Sequence, residues 1–346
     1  MARELGTSMI RRRAAAGLIA LAMTGCPTGP STILPTEVDL SKVQRFRREG
    51  KAEEAAAELA RLVKLLADSG RTDVKAHCAW GRILHLVHRL EVRKMLAKAT
   101  PELRRRCEPL SPWMGPEGDP FLLAGSAGHW THVLKAGADP VLLVEGAGAI
   151  ADLLDEKIGR PELRRGRLEP ADKTADLLYR RFLEEAVVDL RCYALARSQT
   201  TGDPELGEPA AVALDRYAAS LRELAAAPDV KSEAAQNWTE RAAGLERQAQ
   251  VIRKAPGLFE LSPDLRRSIE ADPDDLLRLA IEHANVANRE VSRRGDDTVI
   301  LESFERALRH FVAARECLVE PSTLQKRILD TMPIAADGLR RHAFEK

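Results

Sequence analysis

Apolar residues return every three to four positions through most of this chain, and that spacing constrains the fold more than any other feature. Leu178, Phe182, Ala186, Leu190 and Tyr193 line one face of a helix. Leu214, Tyr217, Leu221 and Leu224 line another, and Leu276, Leu279, His283 and Ala287 a third. Leu301, Phe304, Leu308, Phe311 and Leu318 make a fourth stripe. Ala55, Leu59, Leu62 and Leu66 place a helix over about 52–67. A 3.6-residue repeat aligns such positions on one side of an α-helix, whereas a half-buried strand needs strict alternation. No strand–turn–strand pattern stands out.

Breaks fall where helices should stop: Ser69-Gly70, Thr100-Pro101, Gly202-Asp203-Pro204, Pro228-Asp229 and Ala255-Pro256-Gly257. Composition agrees. Hydrophobic residues make up 45% of the 346 but aromatics only 4%, so the core must be mostly Leu, Ala and Val. The expected fold class is all-α, an array of about ten helices packed as antiparallel pairs. The 53 Lys and Arg balance 52 Asp and Glu. That balance supplies no electrostatic case for nucleic acid.

Two stretches resemble tetratricopeptide repeats. In the first, Gly50 to Ala55 has the turn-and-helix-start spacing and Phe46 fits the first-helix aromatic; Leu59 and Leu62 stand where the repeat has an aromatic and an Ala, and Val43 is larger than the residue expected. In the second, Ala307, Phe311 and Ala314 match an Ala-x3-aromatic-x2-Ala pattern. No period near 34 links the two, so an irregular helical array that meets the same packing rules is the competing reading.

The segment 108–140 differs from the rest. It is rich in Pro and Gly and carries Trp113, His129, Trp130 and His132. It is expected to be irregular and to form a special surface, or else a connection with its aromatics tucked into the core.

Few constellations offer chemistry. His85 and His88 stand three apart on one helix face, and His129 and His132 repeat the spacing, which makes the four candidate metal ligands. Gly146-x-Gly148-x-x-Ala151 after Val141–Val144 matches a loose dinucleotide fingerprint. No parallel strand with a terminal acid follows, so the expected form is a helix with small residues at a close contact. No catalytic set of Ser, His and Asp can be named, and no cofactor is expected. Glu184-Glu185 and Asp274-Asp275 read as helix starts and solvated faces.

The N-terminus carries an address. Arg11, Arg12 and Arg13 precede an apolar run of about ten residues, half the length of a membrane-spanning helix. Met23-Thr24-Gly25-Cys26 follows. This stretch resembles the signal of bacterial lipoproteins, in which an aliphatic residue and two small residues precede a Cys that is acylated. Met stands here where Leu is usual, and Met9 would serve as a start as well as Met1. The resemblance implies a signal peptide over 1–25, a lipidated Cys26 beginning a Pro-rich tether over 26–36, and a helical domain over 37–346. It also implies attachment to a membrane through the lipid, in the cell envelope facing the periplasm. Pro27 is not the Asp associated with inner-membrane retention, so the outer membrane is favoured. In such a compartment Cys78, Cys107, Cys192 and Cys317 are disulfide candidates, and Cys78–Cys107 makes the shortest closure. Two functions are then open: a non-enzymatic scaffold that binds a protein partner in the envelope, or a metal- or small-molecule-binding protein that uses the His and Trp residues of 108–140.

Overall fold

Helix punctuation explains most of the architecture. The computed structural model describes residues 38–114, 118–137, 139–169, 171–198 and 206–344, so the signal, Cys26 and the tether lie outside the described residues. Among the described residues, 82% are helical and no strand is formed. These residues form fifteen α-helices, and the all-α expectation holds. Ten of them run twelve residues or more; the other five are short pieces of six to eight residues.

In chain order the helices are α1 (Ser41–Arg48), α2 (Ala52–Ser69), α3 (Val74–Arg89), α4 (Val92–Ala97), α5 (Pro101–Arg106), α6 (Asp119–Ala136), α7 (Pro140–Gly159) and α8 (Lys173–Ser198). They continue as α9 (Gly207–Ala225), α10 (Ser232–Lys254), α11 (Pro263–Ile269), α12 (Pro273–Arg293), α13 (Asp297–Cys317), α14 (Thr323–Leu329) and α15 (Met332–Ala343). Four of them begin with the same device. Thr100, Asp139, Ser262 and Asp272 each precede a Pro and accept a hydrogen bond from a backbone N–H in the first turn of α5, α7, α11 and α12. Proline needs no N–H acceptor at that place, and the side-chain oxygen satisfies one of the orphaned donors. Ser322 and Gln325 close a reciprocal capping box on α14.

The chain forms two compact units, divided between His129 and Trp130. In the first, Val43, Ala55, Leu59, Leu62, Leu66, Ile83 and Leu84 are buried together, with Phe46 packed against them. In the second, α7, α8, α9 and α10 pack in sequence order and α12 packs on α13. This pairing fits antiparallel hairpins. Helix α8 is buried on nearly every side, including the side chains of Arg181, Glu184 and Glu185. The last residues return to the α9–α10 turn, where Lys231 N–H donates to the Ala343 carbonyl at 3.0 Å.

The expected irregular segment over 108–140 requires correction. It contains a 3-10 turn, Glu108–Trp113, and then the 18-residue helix α6. Several of its described Pro and Gly residues mark helix ends or close contacts. Gly118 and Gly137 bracket α6 with φ of +67° and +60°, a left-handed conformation that glycine adopts without cost. Gly125 lies inside α6, where a Cβ would come within 3.1 Å of Leu84 and Trp113. The fingerprint-like stretch is also helical throughout, within α7. Gly146 lets the Trp130 ring approach, with 3.0 Å from a built Cβ to the ring, while Gly148 faces open space.

Candidate functional site

The first unit gathers rings between α3 and α6. Imidazole nitrogens Nδ1 of His77 and Nδ1 of His129 lie 2.9 Å apart. The Trp80 indole stacks on the His129 ring at 5.7 Å between centroids and 12° between planes. Trp113 lies against both Trp80 and His129, at 5.3 and 6.2 Å, and Phe121 lies against Trp113. His77, Trp80, Trp113 and His129 are all half-buried. One turn of helix separates His77 from Trp80, so α3 presents both on one face to α6.

The second unit holds a chain of alternating charges between α8, α10 and α13. Arg181 donates to Glu305 at 2.7 Å, and Glu305 also accepts from Arg241 at 3.1 Å and from the Trp238 indole at 2.6 Å. Arg241 donates in turn to Glu185 at 2.6 Å. Arg309 lies between Glu185 and Asp189, at 3.4 and 3.3 Å. Arg181, Glu185 and Asp189 are four residues apart along α8, so helical geometry sets them in one row. Burial alone would raise the Glu185 carboxyl, but Arg241 and Arg309 hold it down at about 2. Asp189 is pushed up to about 6 by burial and by Glu185, which Arg309 only partly offsets. His310 stacks on His283 at 5.4 Å, and burial beside Arg309 drives its imidazolium form well below the ordinary range.

A second buried cluster pins the loop after α7 to the end of α13. Lys157 and Glu316 pair at 2.5 Å with neither side chain exposed. The same carboxylate accepts from the Tyr179 hydroxyl at 2.7 Å and from the Arg165 N–H at 3.0 Å. Arg164 donates to the Lys157 and Ile158 carbonyls at the end of α7, each at 3.0 Å. Cations there satisfy a helix C-terminus and need no ligand.

A cleft of about 420 Å³ in the second unit is lined by Lys135, Arg266, Arg267 and Arg278 with Glu270 and Asp275. Its cations are already opposed. Lys135 pairs with Asp272 and Asp275, Arg278 with Asp275, Arg266 with Glu270, and Arg267 with Glu282.

The four histidines chosen by spacing do not assemble as proposed. His129 meets His77, a residue 52 positions away, two turns before His85 on α3. His88 is buried, with Nδ1 3.8 Å from Asp119, and His85 is half-buried on the same helix. His132 is exposed in the second unit, yet desolvation still disfavours its imidazolium, which Asp272 only partly restores. Among the described residues, no three His, Cys, Asp or Glu side chains gather as a metal-holding group. Cys78, Cys107, Cys192 and Cys317 are all buried and remain thiols, so the Cys78–Cys107 bridge is not formed. Burial pushes the Cys192 and Cys317 thiols up to about 12, which makes them poor nucleophiles. Glu184 and Glu185, expected on a solvated face, are instead buried. The charge chain escaped sequence reading: Arg181, Glu185 and Asp189 stand at four-residue spacing, but α8 carries other charges, such as Arg180 and Glu184, that obscure the row. Among the described residues no helix is long and apolar enough to cross a membrane. No family model, no curated protein and no solved structure matches this chain.

Proposed function

We propose that this protein is a lipid-anchored helical scaffold that binds a protein partner in the cell envelope. The anchor is Cys26, at the end of the lipoprotein-like stretch Arg11–Cys26, and the residues to Thr36 serve as its tether. One structural observation supports the body's role: its long helices pack in sequence order, α7 on α8, α8 on α9, α9 on α10 and α12 on α13. Stacked helix pairs leave grooves between neighbouring helices that accept peptides or helices. The buried charges are consumed in holding these helices together. Tetratricopeptide-like packing at Leu59, Leu62 and Phe311 is part of the same proposal, as is a periplasm-facing position on the outer membrane.

Two measurements test it. Labelled palmitate should enter the wild-type protein and not Cys26→Ser, and the membrane fraction should lose the variant. Cross-linking in intact cells, followed by purification, should then recover the same protein partner repeatedly with the wild type. A wild-type protein that takes up no label refutes the anchor. Repeated recovery of no cross-linked protein refutes the scaffold.

A further inference from the structure

We propose that the first unit rests its basic side, led by α1, on the anionic lipid headgroups of the membrane that holds Cys26. This deepens the anchor reading and rests on it. Charge is unevenly divided along the chain. Residues 26–129 carry 17 Lys and Arg against 13 Asp and Glu, a net +4, while residues 130–346 carry 32 against 38, a net −6. The near-neutral total conceals this split. An excess of cations beside a lipid anchor is drawn to a negatively charged surface.

Helix α1 concentrates that excess. Val43 is buried and Phe46 half-buried in the core of the first unit, and these positions, three apart, mark the side of α1 that packs on α2. Lys42, Arg45, Arg47 and Arg48 are exposed, and α1 contains no acid. The nearby acids are engaged with other groups. Asp39 accepts from the Ser41 N–H at 2.8 Å. Glu49 lies 2.8 Å from Lys51 and 3.9 Å from Arg45, and Glu58 pairs with Lys42 and Arg61 at 3.0 and 2.6 Å. Glu53 and Glu54 stand in the first turn of α2, where the helix dipole favours them. Among the described residues, Arg47 and Arg48 make no hydrogen bond or ion pair. Helix α5 packs on the same α2 and ends in the exposed Arg104, Arg105 and Arg106. A helix C-terminus favours such cations without using up their charge.

The tether selects lipid as the partner. Fifteen residue steps separate Cys26 from Ser41, and at about 3.5 Å each they hold α1 within about 50 Å of an acylated Cys26. Confinement at that range turns a weak surface attraction into a standing second contact. A nucleic acid would meet the same cations without any such tether.

Flotation of the purified full-length protein tests this. Vesicles of phosphatidylcholine alone are compared with vesicles that also carry about 30% phosphatidylglycerol. Any apolar contribution from the N-terminus is common to both. The protein should bind the anionic vesicles more tightly and lose that preference in about 1 M NaCl, where charges are screened within about 3 Å. Arg47→Gln combined with Arg48→Gln should weaken binding to the anionic vesicles roughly tenfold or more. Arg247→Gln combined with Lys254→Gln removes the same charge from exposed positions on α10 and should leave binding unchanged. Circular dichroism checks each fold, and if the Arg47 and Arg48 variant unfolds, the salt dependence of the wild type decides. Equal flotation on the two vesicles, a preference that survives salt, or equal losses in the two double variants overturns the proposal. So does a DNA duplex that strips the protein from the vesicles at equal phosphate, which would mark a general polyanion site. Palmitate labelling reads the anchor separately: a protein that takes the label but ignores phosphatidylglycerol refutes the basic contact and leaves the anchor standing.

Discussion

The Nζ atom of Lys157 lies 2.5 Å from Oε2 of Glu316, 159 residues further along the chain, and neither side chain reaches solvent. Burial would raise the Glu316 carboxyl, but Lys157, Tyr179 and the Arg165 N–H hold it below the usual range. Removing one partner strands a buried charge, whereas removing both does not. Lys157→Met is therefore expected to cost about 3–5 kcal/mol in urea unfolding. The double variant Lys157→Met with Glu316→Leu should cost clearly less than the two single changes added together. Strict additivity would show that the two groups do not interact.

Glu305 is the most heavily used carboxylate in the charge chain. It accepts from Arg181, Arg241 and Trp238. Arg181 uses one nitrogen on Glu305 and leaves Nε and Nη2 buried without a hydrogen bond. Loss of the acceptor should therefore hurt more than loss of this donor. Glu305→Leu is expected to destabilise by about 3–5 kcal/mol, and Arg181→Met by appreciably less. Chemical denaturation of both variants at one pH makes the comparison, and the reverse order would refute it.

Asp189 should make stability depend on pH in an uncommon direction. Its folded value of about 6 lies above the ordinary 3.8. The protonated form is thus favoured by folding, and that stability is fully present below about pH 4. It is lost as pH rises through 6. Asp189→Asn should consequently be more stable than wild type at pH 7.5, by an amount of order 1–3 kcal/mol, with the advantage fading near pH 4. Unfolding midpoints at the two pH values provide the check. An Asn variant weakened equally at both would mean that its pairing with Arg309 outweighs its burial and the Glu185 charge.

Two glycines should respond in opposite ways to Ala. Gly148 sits inside α7 with nothing within 4 Å of a built Cβ. Gly148→Ala should stabilise by about 0.5–1 kcal/mol through helix propensity. At Gly338 in α15 the built Cβ would fall 2.4 Å from the Phe304 ring. Gly338→Ala should destabilise by about 1–3 kcal/mol. Thermal unfolding of the two variants separates them, and a shift of the same sign in both would contradict the packing described.

Helices were the most legible part of this chain. The Leu and Phe stripes of α8, α9, α12 and α13 announce themselves, because a 3.6-residue period is written locally. Thr100-Pro101 and Ser69-Gly70 likewise carry their own stop signals. The segment 108–140 misled for an instructive reason. Gly125 looks like a helix breaker in isolation, but its missing side chain makes room for Leu84 and Trp113. A glycine that breaks a helix and one that admits a neighbour are identical until the neighbour is known.

By itself, the amino-acid order determined the helical class, the positions of several helix ends and the apolar faces, since each depends on residues within a few turns of one another; the Gly202-Asp203-Pro204 break lies outside the described residues. Tertiary structure alone decided which polar groups meet. His77 found His129, Lys157 found Glu316, and Arg309 came between Glu185 and Asp189. These partners lie 52 to 159 residues apart. Coulomb forces and hydrogen bonds act through space, and only the packing of helices brings such groups within their reach.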